Sequence, residues 1–240
     1  MPNESLLPQR LRGERHFRWR GGAVSRVEAL SDAVFALVLT LLAITLEVPK
    51  TSAEMSHLFW QFPAFGVCFV FLLWIWWEHF VFHRRFGFED VAVVWLNGAL
   101  LLCVVCFVYP MKFIATMLVA DPMADTRTVT LDASGPVVML MFSGSFVGIF
   151  VVFTALYLLA LRRAGEVGLD AVEHELARGS LRGHVCSVAI GAASLALLLT
   201  LPPRTGMPVA GFVYFLMGPV HAWNGMRTGR RVARMTRAAA

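Results

Sequence analysis

Apolar residues fall into six long blocks separated by short polar or charged stretches, and the blocks predict helices over 29–48, 58–79, 91–111, 136–161, 184–201 and 209–223. A helix needs roughly 20 apolar residues to cross a hydrocarbon layer of about 30 Å, because its backbone groups must be satisfied within the segment. The pattern therefore predicts an all-α, polytopic membrane protein with six transmembrane helices. Local signals agree with the boundaries. Pro49 closes the first block, Glu89 and Asp90 precede the third at its positive dipole end, and Ser134, Gly135 and Pro136 open the fourth.

Composition strengthens this reading. Of 240 residues, 58% are hydrophobic and only 15% are charged, which is too apolar for a soluble chain of this length. Mean hydropathy is +0.66. Charge then sets the orientation. Seventeen Lys and Arg residues flank one side: Arg10, Arg12, Arg15, Arg18, Arg20, Arg26, Arg84, Arg85, Arg162, Arg163, Arg178, Arg182, Arg227, Arg230, Arg231, Arg234 and Arg237. The other side holds Lys50, Lys112, Arg127 and Arg204. The positive-inside rule puts both termini in the cytoplasm, as an even number of spans requires, and gives a multi-pass protein of the cell (inner) membrane.

The organisation that follows is a basic cytoplasmic segment over 1–25, a transmembrane domain over 26–226 and a basic cytoplasmic tail over 227–240. The segment before Gly22 is expected to be poorly ordered and uncleaved. A net charge of +5 would point to nucleic acid in a soluble protein, but here it matches topology and anionic headgroups, so the expected partners are lipid and not nucleic acid. Cys68, Cys103, Cys106 and Cys186 all lie in apolar blocks. Cys103 and Cys106 are spaced as CxxC but lack a second ligand pair, so packing is expected rather than metal or disulfide chemistry.

The first block differs from a generic apolar helix. Arg26, Ser31 and Asp32 sit at its start, where ionisable groups are costly and mark function by default. At 100° per residue, Leu37, Leu41 and Ile44 fall within 60° of one another, with Thr40 at the margin, Leu30 and Arg26 on the same stripe and Asp32 about 140° away. Leucines at this spacing serve helix packing or a pore lining equally well. Asp32 suits capping or an interhelical hydrogen bond.

These residues resemble the TMEM175 family of cation channels. The first-helix signature of that family is matched here by Arg26-x-x-x-Leu30-Ser31-Asp32, then Thr40-Leu41-Leu42 and Val48-Pro49, with Leu30 in place of the usual phenylalanine. Trp76, Trp77 and His79 are similar to the end of its second helix and Trp95-Leu96-Asn97 to its third, while Phe80 stands where many relatives have histidine.

The resemblance implies a potassium-permeable channel without a cofactor, passing K+ and other monovalent cations. One six-helix unit assembles as a homotetramer, and the first helices line the pore. It implies a constriction at Leu37, Leu41 and Ile44, a polar layer at Thr40, and an interhelical polar network drawn from Arg26, Ser31, Asp32, Trp76, His79, Trp95 and Asn97. No carbonyl filter of the Thr-Val-Gly-Tyr-Gly type occurs, so selectivity is expected from side chains.

Two further functions stay open: a proton-coupled secondary transporter using Asp32 or Glu78, and a non-conducting scaffold. An enzyme is not expected, because no nucleophile, base and metal share a membrane face. Gly144 and Gly148 form a Gly-x-x-x-Gly, a spacing that either joins helices closely, within or between subunits, or arises by chance in a glycine-containing span. The loop carrying Asp121, Asp125 and Asp132, and the connector carrying Glu166, Asp170, Glu173, His174 and Glu175, are expected to be solvated.

Overall fold

A computed structural model of the chain describes residues 16–44, 46, 48–118 and 135–238. Arg10, Arg12, Arg15 and the loop with Asp121, Asp125, Arg127 and Asp132 lie outside the described residues. In chain order the elements are α1 (Arg26–Ile44), α2 (Ser52–Phe86), α3 (Val91–Leu118), α4 (Gly135–Arg162), the short α5 (Ala164–Val167) and α6 (Ala171–Thr200). They are followed by α7 (Pro203–Phe212), a 3-10 turn (Val213–Leu216) and α8 (Met217–Ala238). No strand occurs among the described residues.

Among the described residues five helices, α1 to α4 and α6, are long and apolar enough to cross a membrane. Several run past their apolar blocks because the capping residues, not the hydropathy, stop them. α2 starts at Thr51, whose side chain accepts the Glu54 N–H at 3.2 Å, and ends at Gly87. Gly87 has φ +64°, a left-handed backbone that glycine adopts without strain, and its N–H reaches the His83 carbonyl at 2.8 Å. α6 begins at Ala171, not at the 184 expected from hydropathy. A capping box of Asp170 and Glu173 fixes that start, so much of the expected solvated connector forms the first turns of the helix.

The sixth predicted block is not one regular α-helix. It divides into α7, the 3-10 turn and the start of α8. Pro208, Gly211, Gly218 and Pro219 explain the break, since proline removes backbone donors and glycine weakens helix continuity.

The core runs along α2, α3, α4 and α6. Phe82, Phe107, Phe146, Phe150, Phe153 and Tyr157 are its largest fully buried side chains, with Phe146 and Phe150 rings 4.7 Å apart. Small residues on α6 let its neighbours approach. A Cβ on Gly191 would lie 2.6 Å from Val147 Cγ2 and 3.0 Å from Phe146 Cδ1, and one on Gly179 would lie 2.7 Å from Thr228 of α8.

The Gly144/Gly148 pair divides between two surroundings. A Cβ on Gly148 would lie 2.8 Å from Cys103 Sγ of α3, whereas one on Gly144 would meet nothing within 4 Å. Gly191→Ala is therefore expected to destabilise the chain by about 1–3 kcal/mol through overpacking. Gly144→Ala should leave unfolding in detergent unchanged. Thermal melts of both variants check this, and equal melting would remove the close α4–α6 approach as a stabilising contact.

Candidate pore helix and its anchor

α1 packs against α2 and α3, which places it at the margin of the bundle. Its N-terminus is fixed by a second capping box. The Glu28 N–H donates to Ser25 Oγ at 3.1 Å, and the Ser25 N–H donates to the Glu28 carboxylate at 2.9 Å. Glu28 also pairs with Arg84 of α2 at 3.3 Å, and both side chains are largely buried. The Ser25-x-x-Glu28 spacing carried this signal in the sequence, although the charge pattern drew attention to Arg26 instead.

The buried face of α1 consists of Glu28, Ser31, Phe35, Val38 and Leu42, with the last three between 0% and 3% exposed. At 100° per residue, Thr40 lies roughly opposite the middle of this arc. The exposed arc contains Leu37 at 57% and Ile44 at 70%, together with Thr40, Leu30 and Arg26. Leu41 sits at the border and is half-buried. Leu37 and Ile44 of the stripe are thus uncovered by the rest of the protomer, and Leu41 is partly covered. Thr40 is exposed, and its Oγ1 donates its proton to the Ala36 carbonyl at 2.8 Å, so the oxygen retains its acceptor capacity.

Three of the expected polar residues form one chain of hydrogen bonds. The Ser31 hydroxyl donates to the Val27 carbonyl at 2.8 Å and accepts from Asn97 Nδ2 at 2.9 Å. Asn97 Oδ1 accepts from His79 Nε2–H at 2.9 Å. Ser31, Asn97 and His79 are all buried, at 0%, 2% and 1% exposure, so α1, α2 and α3 meet at a satisfied polar core. His79 in turn stacks near His83, whose Nδ1–H donates to the His79 carbonyl at 3.1 Å.

Asp32 is not in that chain. It lies on the other edge of the buried arc, is exposed, and accepts from Trp76 Nε1 at 2.8 Å. Trp76 stacks on Phe80, the residue that replaces a histidine. Arg26 and Trp95 are not brought into either set. Arg26 is exposed and has no hydrogen bond or ion pair among the described residues, and Trp95 is 76% exposed on α3.

Residues 16–22, the described part of the arginine-rich segment before α1, are packed, whereas poor order was expected there. Phe17 is buried edge-on against Phe86, with the Arg85 guanidinium 4.8 Å above its ring. The Arg20 and Gly21 N–H groups both donate to the Arg84 carbonyl, at 2.9 and 3.1 Å. Gly21 is required there, since a Cβ would lie 2.7 Å from the His83 carbonyl oxygen. Arg18 and Arg20 hold Glu173 of α6 at 3.2 and 2.6 Å. Sequence patterning missed this strap because its partners are more than 60 positions away.

At the same end, Asp90 caps α3 by accepting from the Ala92 and Val93 N–H groups and pairs with Arg163. Burial would raise its pKa, but Arg163 and the helix-start amides outweigh this and hold the carboxyl below its ordinary value.

A second ionisable pair lies deeper in the bundle. Glu78 Oε2 is 3.7 Å from His184 Nε2, and Trp74 Nε1 donates to Glu78 Oε1 at 3.2 Å. Ser187 Oγ and His221 Nε2 lie 3.0 Å apart nearby. Among the described residues no group of three or more His, Cys, Asp or Glu side chains is gathered for a metal ion.

Comparison with known proteins gives a consistent result. The sequence profile of the endosomal/lysosomal potassium channel TMEM175 matches residues 26–108. A potassium channel of Marivirga tractuosa is 28% identical over 235 residues, covering 92% of this chain and 94% of the relative. A potassium channel of Chamaesiphon minutus is 30% identical over 162 residues, covering 63% of this chain and 72% of the relative. Among solved structures, the potassium channel MtTMEM175, a threonine-to-alanine variant bound to a nanobody–MBP fusion protein, superposes with a TM-score of 0.77. It shares 25% identity, and the match covers 90% of this chain and 98% of that one.

Proposed function

Since this chain belongs to the TMEM175 family of potassium channels, we propose that four copies assemble around a common axis and pass K+ along the exposed stripe of α1. Leu37, Leu41 and Ile44 form the apolar constriction, and Thr40 contributes a ring of hydroxyl oxygens. The observation that carries this reading is the uncovered stripe itself. Leu37 and Ile44 are 57% and 70% exposed on a helix whose opposite face is sealed against α2 and α3. Four apolar side chains around an axis impede ions by narrowing and dewetting, and threonine lone pairs replace part of a hydration shell.

Ser31, Asn97 and His79 act as the anchor that holds α1 in this orientation, and Asp32 with Trp76 supports it at the side. The segment from α7 through α8 makes the sixth crossing, with both termini in the cytoplasm of a multi-pass protein of the inner membrane. The strap of residues 16–22 then forms part of the cytoplasmic end.

A second reading is proton-coupled transport, supported by the Glu78–His184 pair and by the 3-10 break in the last segment, since discontinuous helices and buried ionisable groups recur in transporters. Flux from potassium-loaded liposomes separates the two. The channel reading expects K+ efflux down its gradient with no opposing gradient of H+ or Na+. Efflux that requires such a gradient and is lost in Glu78→Gln would replace it with the transporter, and absence of flux in both conditions would leave the scaffold.

A further inference from the structure

α8 changes character along its length in the order a helix meets when it leaves a bilayer. Just before and at its start, Phe212, Phe215 and Leu216 are 68%, 73% and 52% exposed. About two turns into α8 come Trp223 at 55% and Met226 at 56%, and then Arg227, Arg230, Arg231, Arg234 and Arg237. Apolar, aromatic and basic zones in succession match hydrocarbon, interface and headgroup layers.

Only one side of α8 is used inside the protomer. Asn224, Thr228 and Val232 are its buried residues and face α6, where Asn224 Nδ2 donates to the Gly179 carbonyl at 2.9 Å. Trp223, Met226, Arg227, Arg230 and Arg234 lie on the other side at helical spacing and line an open groove of about 330 Å³. The Arg227 guanidinium sits 5.2 Å from the Trp223 ring centroid. Arg231 marks the inner edge of the groove, since it also reaches Glu175 at 3.2 Å.

Ion pairing separates the arginines of the groove from the five that brace the bundle. Arg18, Arg20, Arg84, Arg163 and Arg182 are each paired with Glu or Asp. Arg227, Arg230 and Arg234 have no acidic partner among the described residues. Three guanidiniums without an acidic partner among the described residues therefore line an open groove that has no acid in its lining. A second α8 could not fill it without bringing like charges together.

We propose that this groove binds the phosphate of an anionic phospholipid, with Arg227, Arg230 and Arg234 as the anion ligands and Trp223 and Met226 against the upper acyl chain. Arg227 and Arg230 lie roughly 6 and 10 Å beyond Trp223 along the helix axis, a separation that suits one side group in the interface and the others at phosphate level. Guanidinium is the fitting cation here because its planar fork takes phosphate oxygens in pairs. The site rests on α8 leaving the membrane after its first turns, but not on conduction by α1.

Native mass spectrometry of the detergent-solubilised full chain tests the site, with phosphatidylglycerol and phosphatidylcholine of identical acyl chains as probes. The wild type should bind phosphatidylglycerol about tenfold more tightly. R227Q/R230Q/R234Q should erase that preference, whereas Arg178→Gln, an exposed arginine outside the groove, should keep it. Excess inorganic phosphate should not displace the lipid.

Equal affinity for the two lipids, or a preference that survives the triple variant, overturns the proposal. Full displacement by phosphate does so too and assigns the groove to a free anion. Loss of the assembled oligomer in the triple variant would make the face a subunit contact instead. Each readout is lipid binding or mass, so a chain that fails to conduct can still pass.

Discussion

Leu37→Ser should raise K+ flux through the reconstituted protein by roughly tenfold, the factor that accompanies a barrier lowered by about 1.4 kcal/mol. The argument begins with placement. Leu37 is 57% exposed in the protomer, so the substitution removes little of the chain's own packing and should leave folding intact. In a fourfold assembly each substitution acts four times around the axis. Serine shortens the side chain and adds a hydroxyl, so it both widens the constriction and favours its wetting.

Leu37→Ala separates these effects. If the barrier is mainly dewetting, alanine recovers only part of the gain, and if it is mainly narrowing, the two variants match. Val70 on α2 is 65% exposed and supplies the control for a side chain outside the proposed pore, where Val70→Ser should leave flux at the wild-type level. If Leu37→Ser behaves like Val70→Ser in the liposome assay, the stripe faces lipid or a neighbouring subunit, and α1 does not line the path.

Much of this arrangement was legible in the sequence because the residues concerned obey local rules. The helical character of the chain and five of its spans follow from apolar blocks whose lengths match a bilayer. The stripe of Leu37, Thr40 and Ile44 follows from a 100° rotation per residue, and the structure leaves all three uncovered. The sixth block is where hydropathy and backbone part. Hydropathy averages over Pro208, Gly211 and Pro219, whereas the backbone responds to each of them, so the run becomes two helices joined by a 3-10 turn.

Partner choice was even less visible. Asp32 and Ser31 are adjacent in sequence, yet one turns to Trp76 and the other to Asn97, because a 100° step carries them to different edges of the same face. The docking of Arg18 and Arg20 on Glu173 depends on elements about 150 positions apart, and no local pattern encodes it. Long-range electrostatic contacts of this kind are decided by where the tertiary fold sets the start of α6 beside the chain that precedes α1, which sequence spacing does not report.

The anchor gives the second large effect. Asn97→Ala should lower the stability of the chain by about 2 kcal/mol, since it removes the acceptor of His79 and the donor to Ser31. Two orphaned groups at about 1 kcal/mol each set this figure, at the lower end of the aqueous range because side chains in a membrane find substitute partners even when a helix is displaced. Ser31→Ala should be milder, as the Asn97–His79 bond remains. The double variant should be little worse than Asn97→Ala alone, because both substitutions break the same chain of bonds.

Asp32→Asn should be close to neutral in this assay, because the amide oxygen can still accept from Trp76 at an exposed position. Thermal unfolding in detergent and the yield of assembled protein measure these differences. Asn97→Ala channels that do assemble should conduct as the wild type does, for the residue lies on the side of α3 buried against α1 and away from Leu37 and Ile44. An Asn97→Ala protein that melts normally but has lost K+ flux would contradict the anchoring role and move the Ser31–Asn97–His79 chain into the permeation path.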